Sequence, residues 1–75
     1  MNDKRRKSVR VAITLLERVN AIVDRVCDEE QDAADNYPEN LQSTETYEKM
    51  EQAVDNMTEA MDKIDEVKDL LEDVL

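Results

Sequence analysis

Two apolar stripes that keep the same seven-residue beat constrain this chain more than any other feature. From Val9, the residues Ala12, Leu16, Val19, Val23, Val26, Glu30, Ala33 and Tyr37 follow at alternating steps of three and four, with Glu30 the one interruption. That spacing keeps one face of an α-helix apolar. Ile13 and Cys27 lie on one flank of the stripe and Leu15 and Ile22 on the other, so it is wider than a two-helix seam requires. The beat resumes with Tyr47, Met50, Val54, Met57, Met61, Ile64, Leu71 and Leu75, and Lys68 is its lone polar member. Ala53, Ala60, Val67 and Val74 repeat every seven residues along one flank of this second stripe. The chain has no glycine. Tight β-hairpins and bulges depend on positive φ, so an extensive antiparallel sheet is disfavoured.

The two arms are nearly equal, with helix expected over about residues 4–35 and 44–75 and a joint over about 36–43. Pro38 disfavours helix at Tyr37 and offers no amide hydrogen, so the first helix should stop there, and Pro38 can open a single turn through Leu41. Ser43 is the expected N-cap of the second helix, with Glu45 at the positive end of its dipole. So short a joint makes the arms antiparallel neighbours. Pairing them about the joint sets Leu16 near Ile64, Val19 near Met61, Val23 near Met57, Val26 near Val54 and Ala33 near Tyr47. The fold class is therefore all-α, one domain over residues 1–75, an antiparallel two-helix hairpin of coiled-coil type. Leu15, Ile22, Ala53, Ala60 and Val67 remain uncovered in such a hairpin. They are the expected self-association surface, and a two-fold dimer forming a four-helix bundle covers them.

Charge is divided unevenly between the arms. Residues 1–25 carry seven basic side chains against three acidic ones, whereas residues 26–75 carry three lysines against seventeen Asp or Glu. The register above brings the basic segment Lys4–Arg10 towards Glu66, Asp69, Glu72 and Asp73, so internal neutralisation is the favoured role for it. The alternative is that Lys4-Arg5-Arg6-Lys7 contacts phosphates or anionic lipid, but the net charge of the whole chain, −10, opposes docking on nucleic acid and favours a protein partner with a basic surface.

Little here supports catalysis. There is no histidine to serve as general base, and Cys27 has no sequence neighbour that would activate it, so no catalytic residue is assigned and the chain reads as a non-enzyme. A zinc site or an internal disulfide is excluded by one cysteine and no histidine. The segment Asp28-Glu29-Glu30-Gln31-Asp32 lacks the glycine and alternating ligands of a calcium loop, so no metal and no cofactor are expected. The longest uncharged run near the N-terminus, Val11–Leu16, is far too short for a membrane span, and no signal-peptide pattern follows the basic start. A soluble, cytoplasmic protein is expected.

One other local pattern competes. Val9-Arg10-Val11-Ala12-Ile13 alternates with period two and Thr14-Leu15-Leu16-Glu17 has the form of a capping box, as in ribbon-helix-helix DNA-binding regulators. The helical phase of Val9 and Ala12 with everything downstream argues against it. The sharper clue is an acidic ladder: Glu48, Glu51, Asp55, Glu59, Asp62, Glu66, Asp69 and Asp73 recur every three or four residues on the outward side of the second arm. Most charge runs are solvated helix faces, but those usually carry more lysine than Lys49, Lys63 and Lys68 supply. The ladder is the candidate partner-binding surface, a polyanion offered where a protein normally grips nucleic acid. The regular methionines Met50, Met57 and Met61 read as core.

The joint Tyr37-Pro38-Glu39-Asn40-Leu41-Gln42-Ser43 and the following Tyr47-Glu48-Lys49-Met50-Glu51-Gln52-Ala53-Val54-Asp55 resemble a group of short acidic α-helical proteins of Firmicutes and their phages. The likeness covers roughly residues 28–75. It implies a phage or prophage setting, in a host cytoplasm, and by analogy an inhibitor of a host nucleic-acid-binding defence protein. The alternative is a structural adaptor whose only business is helical assembly.

Overall fold

The computed structural model covers residues 1–75 and consists of two helices, α1 (Asp3–Asp35) and α2 (Glu45–Glu72), joined by a short 3-10 turn at Glu39–Leu41. The helices pack against each other as an antiparallel hairpin, a rod with Cα extents of 59 × 15 × 12 Å. The strand required by the ribbon-helix-helix alternative is not formed, because residues 9–13 lie inside α1. Helix wins there because Val9, Ile13 and Leu16 share one inward face with the rest of α1, whereas a lone strand has no partner to bond.

Three of the four helix ends are closed by side chains, and the C-terminus of α2 by backbone hydrogen bonds from Asp73, Val74 and Leu75. The Asn2 side chain accepts the Arg5 amide hydrogen at 2.9 Å and so caps α1. At the other end the Asn36 backbone amide and its side-chain Nδ2 both donate to the Asp32 carbonyl, at 3.1 and 2.8 Å. No residue has positive φ, so the chain leaves α1 without the left-handed turn that glycine usually provides. Pro38 then forces an extended step (φ −56°, ψ 134°), and its carbonyl accepts the Leu41 amide at 2.9 Å to start the 3-10 turn. The N-cap of α2 is Thr44, one residue beyond the expected Ser43. Thr44 Oγ1 accepts the Tyr47 amide at 3.4 Å while donating to the Leu41 carbonyl at 2.6 Å. The cap is thereby tied to the turn, which consumes one more residue than a bare joint would. Tyr37 and Tyr47 stack across this end, ring centroids 5.8 Å apart and planes 19° from parallel. Such a pair contributes about 0.5–1.5 kcal/mol beyond its buried area.

The inward face of α2 follows the expected stripe as far as Leu71, with Tyr47, Met50, Val54, Met57, Met61, Ile64, Lys68 and Leu71 all partly buried, whereas its last expected member, Leu75, lies past the helix end and is exposed. That of α1 is turned by one position at every second step. Ile13, Asn20, Cys27 and Ala34 face α2 in the places expected for Ala12, Val19, Val26 and Ala33, while Val19 and Val26 are 45% and 38% exposed. Cys27, expected on a flank, is in the seam: with Ile13 and Ala34 it is one of the three buried residues of the hairpin. The reason lies on α2. Asp65 accepts the Asn20 side-chain amide at 3.0 Å, and the Cys27 thiol lies 3.8 Å from both the Val54 carbonyl and Thr58 Oγ1, so polar partners meet the polar members of this face.

The register is also shifted. Glu17 pairs with Lys68 at 3.7 Å and Tyr37, not Ala33, meets Tyr47, a displacement of about one helical turn from the expected pairing of Leu16 with Ile64. The shift arises because Tyr37, already outside α1, still packs as the last rung of the seam. One consequence is that Lys4–Lys7 sit beyond the end of α2, and the expected neutralisation by Glu66, Asp69, Glu72 and Asp73 is not made. The ion pair at that end is local, Arg6 with Asp3 at 3.1 Å, and Lys68–Glu17 is the one that crosses between helices.

Asn20 Oδ1 is buried without a hydrogen-bond partner, an omission that costs about 1–3 kcal/mol. Asn20→Leu should therefore raise the urea midpoint. A polar residue at a seam position also fixes register, so the same variant should show duplicate amide resonances for α1. A lower midpoint with a single set of resonances would contradict both roles. At the joint, partial burial and then the charges of Glu51 and Asp35 hold the Tyr47 phenol above its ordinary value of 10.0. The folded state thus retains the proton more tightly than the unfolded one. This contribution is complete below the unfolded value and is lost as pH rises through the folded one. A Tyr47→Phe variant should lose less stability than the parent across that alkaline window, followed by circular dichroism alongside tyrosinate absorbance.

Candidate interaction surfaces

The hairpin encloses no pocket, and no three His, Cys, Asp or Glu side chains converge as a cation site. No helix is long and apolar enough to cross a membrane. The hairpin presents two long outer faces.

The seam decides which residues those faces carry. Cross-helix contacts Asn20–Asp65, Cys27–Thr58 and Glu17–Lys68 occupy one side of the hairpin. In an antiparallel pair the corresponding flanks of the two helices lie on the same side. Hence Ala12, Val19, Val26 and Ala33 of α1 share the opposite side with Ala53, Ala60, Val67 and Val74 of α2. Leu15 and Ile22, further out on α1, extend the same surface and are 52% and 55% exposed. Val67 is 44% exposed, Ala60 is exposed and Ala53 half-buried. All five residues expected to drive self-association thus fall on one side of the rod. Sequence reasoning missed Val11, Leu70 and the outward turn of Val19 and Val26, each of which adds to this surface. Leu70, at 68% exposed, broke no pattern and so gave no signal.

The acidic ladder lies away from that flank. Glu48, Glu51, Asp55, Glu59, Asp62, Glu66, Asp69 and Asp73 are all exposed. Eight carboxylates spread over about 38 Å stand about 5.4 Å apart on average, a row somewhat sparser than the one charge per about 3.4 Å along each strand of duplex DNA. Only Glu59 has a cationic partner, Lys63 at 3.8 Å, and both side chains are two-thirds exposed. Such a pair is worth little in water. The other lysines of α2 are engaged elsewhere, Lys49 with Glu45 at 3.1 Å and Lys68 with Glu17.

The ladder also runs where a helix does not favour it. Asp69, Glu72 and the C-cap Asp73 crowd the last turn of α2, which has no basic residue, although the dipole there favours cations. α1 likewise ends on Asp32 and Asp35 with no basic residue in its last turn. Replacing Asp69 and Asp73 by Lys should stabilise the hairpin by about 0.3–1 kcal/mol each at low salt, measured by thermal melts, and less in high salt. Equal or lower stability would show that these carboxylates make favourable contacts after all. No protein-family model, curated protein or solved structure matches this chain.

Proposed function

We propose that this chain is a non-enzymatic interaction protein that presents the outer face of α2 to a basic, nucleic-acid-type surface of a partner protein and so competes with nucleic acid for it. The observation that carries this reading is the ladder itself: eight exposed carboxylates on one rigid helix, almost free of compensating cations and extended into a helix end whose dipole opposes them. A sequence selected for stability alone would place lysine or arginine in that last turn. Rigidity helps, because charges held in a fixed row lose little conformational freedom on docking. The setting implied by the resemblance, an inhibitor of a host defence protein acting in the host cytoplasm, accords with this proposal.

A second reading, a helical adaptor with no inhibitory role, draws on the exposed apolar flank of Leu15, Ile22 and Val67. The two readings differ in which face a partner needs. Capture of partners from lysate over a salt series, followed by challenge with duplex DNA, separates them. An inhibitor of the proposed kind should release its partner at high salt and to added DNA. It should also lose capture when Glu59, Asp62, Glu66 and Asp69 become Gln or Asn, with helicity unchanged. Partners that survive salt, DNA and the neutralised ladder, but are lost with Leu15→Ala and Ile22→Ala, would establish the adaptor instead.

A further inference from the structure

The hairpin exposes 5680 Å² of surface, whereas a compact chain of 8.7 kDa exposes about 4,700 Å². The excess of about 1,000 Å² is close to the 800 Å² or so that each partner buries in a standard protein–protein interface. It is also localised. Val11, Leu15, Val19, Ile22 and Val26 form a continuous exposed stripe on α1, and Val67, Leu70 and Val74 lie exposed on α2.

Charge selects the occupant and its direction. The joint end, residues 26–51, carries nine acidic residues against Lys49 alone, a net of −8. The open end, residues 1–18 with 66–75, carries six acidic and seven basic residues, a net of +1, and its Lys4–Lys7 segment makes no ion pair with α2. Two hairpins set side by side with their joints together would press −8 against −8. Set head to tail, each acidic joint end meets the near-neutral open end of the other copy, with its projecting basic segment.

We infer that the apolar flank is covered by a second copy of this chain, packed head to tail about a two-fold axis to give a four-helix bundle in which α1 lies against α1 of the other copy. Centred near Val19, the α1 stripes overlap so that Ala12 of each copy lies level with Val26 of the other. Lys4 and Arg5 then lie alongside the Ala33–Asp35 end, where Asp32 and Asp35 are exposed. Opposing small and large side chains, Ala12 with Val26 and Ala60 with Leu70, allow the helices to approach. The acidic ladders remain outside, on faces turned away from the contact. This inference stands independently of the partner proposed for the ladder.

Sedimentation equilibrium and a spin-label distance test it together. Ser43→Cys in a Cys27→Ala background places one nitroxide at each joint, outside the contact surface. The expected result is a dimer with label separations on the order of 60 Å, twice the rise along α2 from Glu45 to Asp65, which lies level with the centre near Val19 and Asn20. A dimer with joints within about 20 Å would overturn the head-to-tail arrangement, and a monomer at high concentration would overturn the inference entirely. Leu15→Ala with Ile22→Ala should raise the dissociation constant at least about tenfold while helicity at high concentration persists. An unchanged constant would remove this flank from the interface. Neutralising Glu59, Asp62, Glu66 and Asp69 should leave the dimer at least as tight, so failure of the ladder reading and failure of self-association give different results.

Discussion

A seam one side chain deep holds this molecule together. Two helices of 33 and 28 residues meet along a single row of contacts, and Ile13, Cys27 and Ala34 are its only buried residues. A two-helix contact has no second layer to close over its flanks, so every seam residue that is not apolar weakens a large share of the core. Asn20, Glu30 and Lys68 are such residues. Their presence fits a seam that specifies alignment as much as it provides stability, since polar groups in a row of apolar ones penalise every register that separates them from their partners.

The same row of contacts divides the outside of the rod. With Asn20 and Cys27 turned inward, the β-branched residues Val19 and Val26 are driven out beside Leu15 and Ile22. The polar members of the seam and the apolar members of the surface are therefore two aspects of one rotation of α1 about its axis. Had Val19 and Val26 faced α2, the hairpin would have been greasier inside and more polar outside. It would also have left Asn20 solvated and useless for register.

Electrostatics work against the fold along much of α2. Both helices finish on carboxylates, and the ladder leaves most of its charge unpaired. Local charge choice and helix stability thus disagree, and that kind of disagreement is commonest where a surface serves something other than folding. At the joint, where α1 finishes on Asp32 and Asp35, local contacts hold the chain: Asn36 on the Asp32 carbonyl, Thr44 on the Leu41 carbonyl, and Tyr37 against Tyr47.

Much of this architecture was legible in the residues themselves. A seven-residue beat on both sides of Pro38, with no glycine in the chain, leaves little but two helices and a sharp joint, because side-chain period and backbone permissiveness are local properties. The acidic ladder was equally legible, since outward positions follow once the stripe of α2 is known. The sequence could not decide which side of the broad α1 stripe faces inward, because steps of three and four residues from Val9 and Val23 both reach apolar side chains, Ala12 or Ile13 and Val26 or Cys27, and the one polar choice, Asn20 after Leu16, is the one the structure turns inward. Nor could it decide the register, which turns on Tyr37 packing beyond the end of its helix. Those two choices depend on contacts between residues some 10 to 50 positions apart, Tyr37 with Tyr47, Asn20 with Asp65 and Glu17 with Lys68, and only the docked pair of helices brings such residues together.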